Sequence, residues 1–100
     1  MYEIAWSEEA DADLLSLSLF LRPRVVAAVE RLRHEAEVET RNRKPLERPL
    51  QELPAARWNL RIGDIRVLYG IVDGPTVHIL RVIIKGTSTI EEALARSVKP

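Results

Sequence analysis

Between residues 57 and 62 the apolar side chains of Trp58, Leu60 and Ile62 alternate with Arg57, Asn59 and Arg61. That period of two predicts a strand with one greasy face and one polar, cationic face. Gly63-Asp64 suits a tight hairpin turn, because glycine tolerates positive φ and aspartate can bond its own backbone. Ile65 to Val72 is a mostly apolar run closed by Asp73-Gly74-Pro75, and a further strand is expected over Thr76 to Lys85, ended by Gly86. Tyr2 to Trp6 is a short strand candidate at the other end of the chain.

Elsewhere the rhythm lengthens to that of helices. Ser7 followed by Glu8 and Glu9 marks a helix start, since acids in the first turn favour the positive end of the helix dipole. Leu14, Leu15, Leu17, Leu19, Phe20 and Leu21 give this helix a broad apolar face. Pro23 suits the first turn of a second helix. There Val25, Val26, Val29, Leu32 and Ala36 recur at spacings near three and four, with Glu30, Arg31, Arg33 and Glu37 outward, until the pattern fades by Glu39 or Thr40. Arg41 to Ala56 holds Pro45, Pro49 and Pro54 and is expected to be an irregular basic loop with no third helix. Thr87-Ser88-Thr89 caps a short last helix near Ile90, with Glu91 and Glu92 in its first turn. The order β-α-α-β-β-β-α predicts an α+β fold, a small mainly antiparallel sheet with two N-terminal helices on one face.

Composition bounds this picture without redirecting it. One hundred residues, 46% hydrophobic and 30% charged, suit one domain over residues 1–100. No cysteine is present, so disulfides, thiolate metal sites and a cysteine nucleophile are excluded. No signal peptide is expected from the Met-Tyr-Glu-Ile opening, and Leu14 to Leu21, the longest uncharged stretch, is too short to span a bilayer. A cytoplasmic protein with no membrane partner is the expectation. Charge matters more. Fifteen basic and fifteen acidic residues cancel, whereas a protein that binds RNA is usually basic. The distribution is uneven: Arg41 to Lys85 holds nine basic residues against four acidic ones, while Glu3, Glu8, Glu9, Asp11 and Asp13 crowd the start. A local cationic surface is therefore expected on a neutral protein.

The run from Trp58 to Tyr69, with its hydrophobic-Arg pair, Gly63 and Arg66-Val67-Leu68-Tyr69, resembles the RelE/ParE superfamily of toxins from type II toxin–antitoxin modules. The likeness extends through Thr40-Arg41-Asn42-Arg43-Lys44-Pro45-Leu46, through Val77 to Lys85, and through the opening Tyr2 to Ala10. The resemblance implies the same α+β architecture, no metal or other cofactor, and a cognate antitoxin as partner. For RelE-like members it also implies translation inhibition by ribosome-dependent mRNA cleavage. Such cleavage by a neighbouring 2′-hydroxyl needs a proton acceptor, a proton donor and cations over the developing charge.

Carried over by position, Arg66 falls where the family places its phosphate-binding arginine, Arg57 where it has a catalytic lysine, and Asn59 on a second such lysine. Lys85 adjoins the place of a family arginine, which here is Gly86. The C-terminal tyrosine of the RelE pattern is missing, and Glu92 stands roughly in its position. The implied catalytic set is thus Arg66, Arg57, Lys85 and Glu92. The RNA-binding set is Arg61, Asn59, Arg41, Arg43, Lys44 and Arg81.

Plainer readings stand beside these. Arg66 could be a structural ion pair with an acid on the first helix or with Asp64, and Arg57 and Arg61 a solvated surface. Trp58 reads as a core or rim anchor, and Tyr69 as a core residue whose hydroxyl reaches a partner. His78 reads as structural and His34 as surface; two isolated histidines make no metal site. At the level of function the alternatives are a ParE-like toxin that binds DNA gyrase, and a degenerate member that only binds its antitoxin.

Overall fold

The computed structural model describes residues 1–97. The chain forms β1 (Glu3–Trp6), α1 (Glu8–Ser16), α2 (Arg22–Glu30), α3 (Leu32–Glu35), β2 (Arg43–Pro45), β3 (Trp58–Ile62), β4 (Ile65–Val72), β5 (Thr76–Ile84) and α4 (Ile90–Ser97). The strands make one sheet in the order β1-β5-β4-β3-β2. β1 runs parallel to β5 and the remaining pairs are antiparallel. The α+β class and the two-residue hairpin at Gly63-Asp64 follow the sequence pattern, with Ile62 opposite Ile65 and Gly63 at a φ of 60°.

The sheet is covered unequally. Under α1, α2 and α3 lies the larger core, where Ala10, Leu17, Val25, Val29, Leu32 and Ala36 meet Leu60, Ile65, Val67, Tyr69, Val77 and Ile79. A smaller core on the other face joins Leu68, Leu80 and Ile83 to Leu50 and Ala56 of the long loop and to Ala93 and Leu94 of α4. Among the described residues the rest of that second face carries no covering element.

Three elements differ from the sequence-based expectation. The first helix stops at Ser16, not Leu21, because Leu17 turns to extended backbone. The Arg22 guanidinium then donates to the carbonyl oxygens of Leu15 at 2.6 Å and Leu17 at 3.0 Å, groups a helix end leaves unpaired. The second helix is split at Arg31, yet Val25, Val29, Leu32 and Ala36 all stay buried, while Val26 of the expected stripe is exposed because it lies off the line these four make on the helix. The long loop contains strand β2, three residues with no apolar alternation to announce it. Its Pro45 is tolerated because β2 lies on the sheet edge.

A cationic groove on the open sheet face

Strand parity decides which basic side chains share a face. Leu60, Ile65, Val67 and Tyr69 point into the larger core, so Asn59, Arg61 and Arg66 take the opposite side. Register then assembles them: Lys44 lies opposite Asn59, and Arg61 opposite Arg66, with Ile83 beyond Arg66 on β5. Lys85 follows two positions after Ile83, its amide bonded to the Asp64 carbonyl oxygen at 2.8 Å. Lys44, Asn59 and Lys85 line a groove of about 690 Å³ that also takes in Glu47, Arg48, Thr87 and Glu91. Glu47, Arg48, Thr87 and Glu91 were not among the expected site residues, because nothing local shows that the loop and the start of α4 meet at this groove.

Arg66 satisfies neither ion-pair expectation. Its Nη1 donates to the carbonyl oxygens of Gly63 at 2.8 Å and Ile65 at 3.1 Å, and among the described residues it makes no ion pair. Partial burial lowers its pKa, as does the like charge of Arg61, while Asp64 opposes them. Two arginines facing each other across a strand pair repel, and an anion between them would relieve that. Asn59 adds a second unmet need, a buried side-chain oxygen with no hydrogen-bond donor.

Other candidate residues are placed apart from the groove. Arg81 departs from the expected RNA-facing set because it forms a two-pronged pair with Asp13 of α1, at 2.7 and 3.0 Å. The Asp13 carboxylate also accepts from the Val82 amide at 2.9 Å, so it seals β5 where β1 has ended. Arg43 departs likewise. It is buried, pairs with Glu35 at 2.7 Å and donates to the Val38 carbonyl oxygen at 3.0 Å. Its odd position in β2 turns it towards the helices, which no reading of an irregular loop could foresee. Glu92 departs from the expected catalytic position because it closes a capping box. Its carboxylate accepts from the Thr89 amide while the Thr89 hydroxyl accepts from its own amide, each at 3.0 Å. Arg41 and Arg57 are exposed and do not line the groove. Trp58 is half-buried and stacks on Tyr69 with ring centroids 6.1 Å apart, in keeping with a rim anchor. Among the described residues no group of three acids or histidines could hold a metal ion, and no helix is long and apolar enough to cross a membrane.

The sequence model of the ParE toxin of the type II toxin–antitoxin system parDE matches residues 4–86. The chain belongs to the ParE toxin family. Among solved structures, the RelBE2 toxin–antitoxin complex of Mycobacterium tuberculosis contains a chain 37% identical, with a TM-score of 0.57 over 81% of this chain and 94% of that one. An archaeal RelE–RelB complex from Pyrococcus horikoshii shares the fold at 20% identity, with a TM-score of 0.68 over 87% and 98% of the two chains. A YoeB/ParE toxin from Agrobacterium tumefaciens shares it at 10% identity, with a TM-score of 0.62 over 80% and 94%. No curated protein matches. This ParE-family chain is therefore a type II toxin of the RelE/ParE superfamily, and RelE-named and ParE-named proteins both stand among its likenesses.

Proposed function

We propose that this toxin inhibits translation in the cytoplasm by engaging RNA at the ribosome through its open sheet face. The observation that carries this reading is the cross-strand Arg61–Arg66 pair, which makes no ion pair among the described residues, beside a groove lined by Lys44, Asn59 and Lys85. The Arg66 contacts to the hairpin turn hold its fork in place, leaving Nε and Nη2 for a phosphate. Asn59 lines the groove between these cations and brings an amide to it, a group suited to hydrogen bonding with a ribose or base. Arg41 and Arg57 extend the basic margin outside the groove. Should mRNA cleavage follow, the arginines and Lys85 would stabilise developing negative charge without a metal, and Glu47 and Glu91 are groove groups able to accept a proton. The Glu92 carboxylate is engaged by the α4 cap, so Glu47 and Glu91 are the acids this reading uses.

The partner that restrains the toxin is a cognate antitoxin, as in the M. tuberculosis complex. An acidic, partly disordered segment that folds on binding would complement the basic face. The experiment is induced expression with pulse labelling of protein and DNA synthesis, beside an Arg66→Ala control. Prompt loss of protein synthesis, relieved by the substitution, is expected. The match to the ParE model supports a second reading, inhibition of DNA gyrase. Arrested DNA synthesis with translation intact, and blocked supercoiling by purified gyrase, would establish that reading and overturn the first.

A further inference from the structure

A second basic site lies on the helical side of the molecule, in a cleft of about 490 Å³ between α2–α3 and the edge of β2–β3. It exists because β2 is short. β3 continues past it to Arg61 and Ile62, and α2 faces this end of the strand with the small residues Ala27 and Ala28. Four arginines line the cleft, Arg24, Arg31, Arg43 and Arg61, against one carboxylate, Glu35. That carboxylate is already engaged by Arg43 at 2.7 Å. Arg24, Arg31 and Arg61 make no ion pair among the described residues. Arg43 is 5% exposed, and its Nε is buried without a hydrogen-bond partner. A buried guanidinium nitrogen left unmatched is costly unless an acceptor reaches it, and three more like charges around it raise the demand for negative charge.

We propose that this cleft binds a diphosphate-bearing small molecule, with a nucleoside diphosphate as its fullest ligand. Guanidinium forks match phosphate oxygens two at a time, and several arginines around one cleft suit linked phosphates better than a single carboxylate. The apolar lining from Ala27, Ala28, Leu60 and Ile62 offers a surface for the rest of a nucleoside. A groove tracking an RNA strand would instead run open along the surface and set basic residues in a row. Arg61 is shared with the cross-strand pair of the open face, but Arg24 and Arg31 come from α2 and its end, so the inference does not rest on the proposed function.

The test titrates the full-length chain with inorganic pyrophosphate, with ADP and with a short single-stranded RNA, followed by amide NMR shifts and calorimetry. Pyrophosphate and ADP are expected to move the amides of Arg24, Ala27, Arg31 and Asn42. Tighter binding of ADP would assign the nucleoside to the apolar wall, and equal binding would make the diphosphate itself the recognised group. The Arg24→Ala/Arg31→Ala double variant should weaken both by about tenfold or more while the melting temperature holds. Retained growth arrest in this variant would separate the cleft from the open face. Shifts confined to Lys44, Asn59 and Lys85, or RNA binding in the cleft where pyrophosphate does not, would overturn the proposal.

Discussion

Tyr69 shows how a single side chain ties the layers together. It is fully buried, stacks on Trp58, and its hydroxyl donates to the Ala36 carbonyl oxygen at 2.7 Å. That carbonyl sits just past α3, where a helix leaves acceptors unpaired. Tyr69→Phe strands it, and urea denaturation should show a loss of about 1–3 kcal/mol. Burial also raises the Tyr69 pKa above the ordinary tyrosine value. Above pH about 10 the unfolded chain therefore ionises first. The Tyr69 contribution is complete below that pH and declines as pH climbs towards the raised folded value. Tyr69→Phe should flatten the alkaline fall in stability, leaving the smaller slope from Tyr2, whose pKa is raised by its hydrogen bond to Glu37. An unchanged slope would mean that the phenol is not what titrates. Asp13 is the matching case for charge. Asp13→Ala removes the carboxylate that Arg81 and the Val82 amide share, so a loss of about 3 kcal/mol is expected. Asp13→Leu combined with Arg81→Met should recover part of it in the same denaturation assay, because neither member is then left alone.

At the scale of elements, the central strand is shaped by what crosses it. β4 carries a register irregularity at Leu68/Tyr69 in its pairing with β5, and Gly70 follows at once. A Cβ on Gly70 would stand 2.5 Å from the Ala55 carbonyl oxygen, so the long loop lies directly against the strand backbone. Gly70→Ala must push that loop away. The expected cost is about 1–3 kcal/mol, with faster hydrogen exchange across residues 50–57 before the rest of the sheet responds. Protection that survives there would show that the loop is held by its own contacts, Leu50 and Ala56 among them, and not by its seat on Gly70.

For the whole molecule, zero net charge conceals a sorted surface. Acids crowd the first turn of α1, whereas Lys44 and Lys85 line the open-face groove beside the Arg61–Arg66 strand pair, and a separate arginine cluster lines the cleft under α2. An RNA interface built this way should lose affinity as salt rises, because each phosphate contact releases counterions. Replacing both Lys44 and Lys85 by alanine should reduce the log–log salt slope of RNA binding by about two, with the fold intact by circular dichroism. A slope that does not change would place the RNA elsewhere on the protein.

Local patterning was enough for the strands around Gly63-Asp64, the Ser7 cap that accepts from the Ala10 amide, the burial stripe through Val25 to Ala36, and the α+β class. These depend on side-chain period and turn chemistry, which are properties of neighbouring residues. The same information placed Asn59, Arg61 and Arg66 on one face, because strand parity is local. It could not separate Arg66 from Arg81 or Arg43, since the residues beside each arginine do not say what lies across space from it. Arg81 meets Asp13 from 68 positions away, Arg43 turns inward through a strand with no apolar alternation, and Glu92 is drawn into a cap. Pairing across such separations depends on sheet register and helix packing. Tertiary structure alone therefore decided which cations are consumed by the fold and which remain free to meet a ligand.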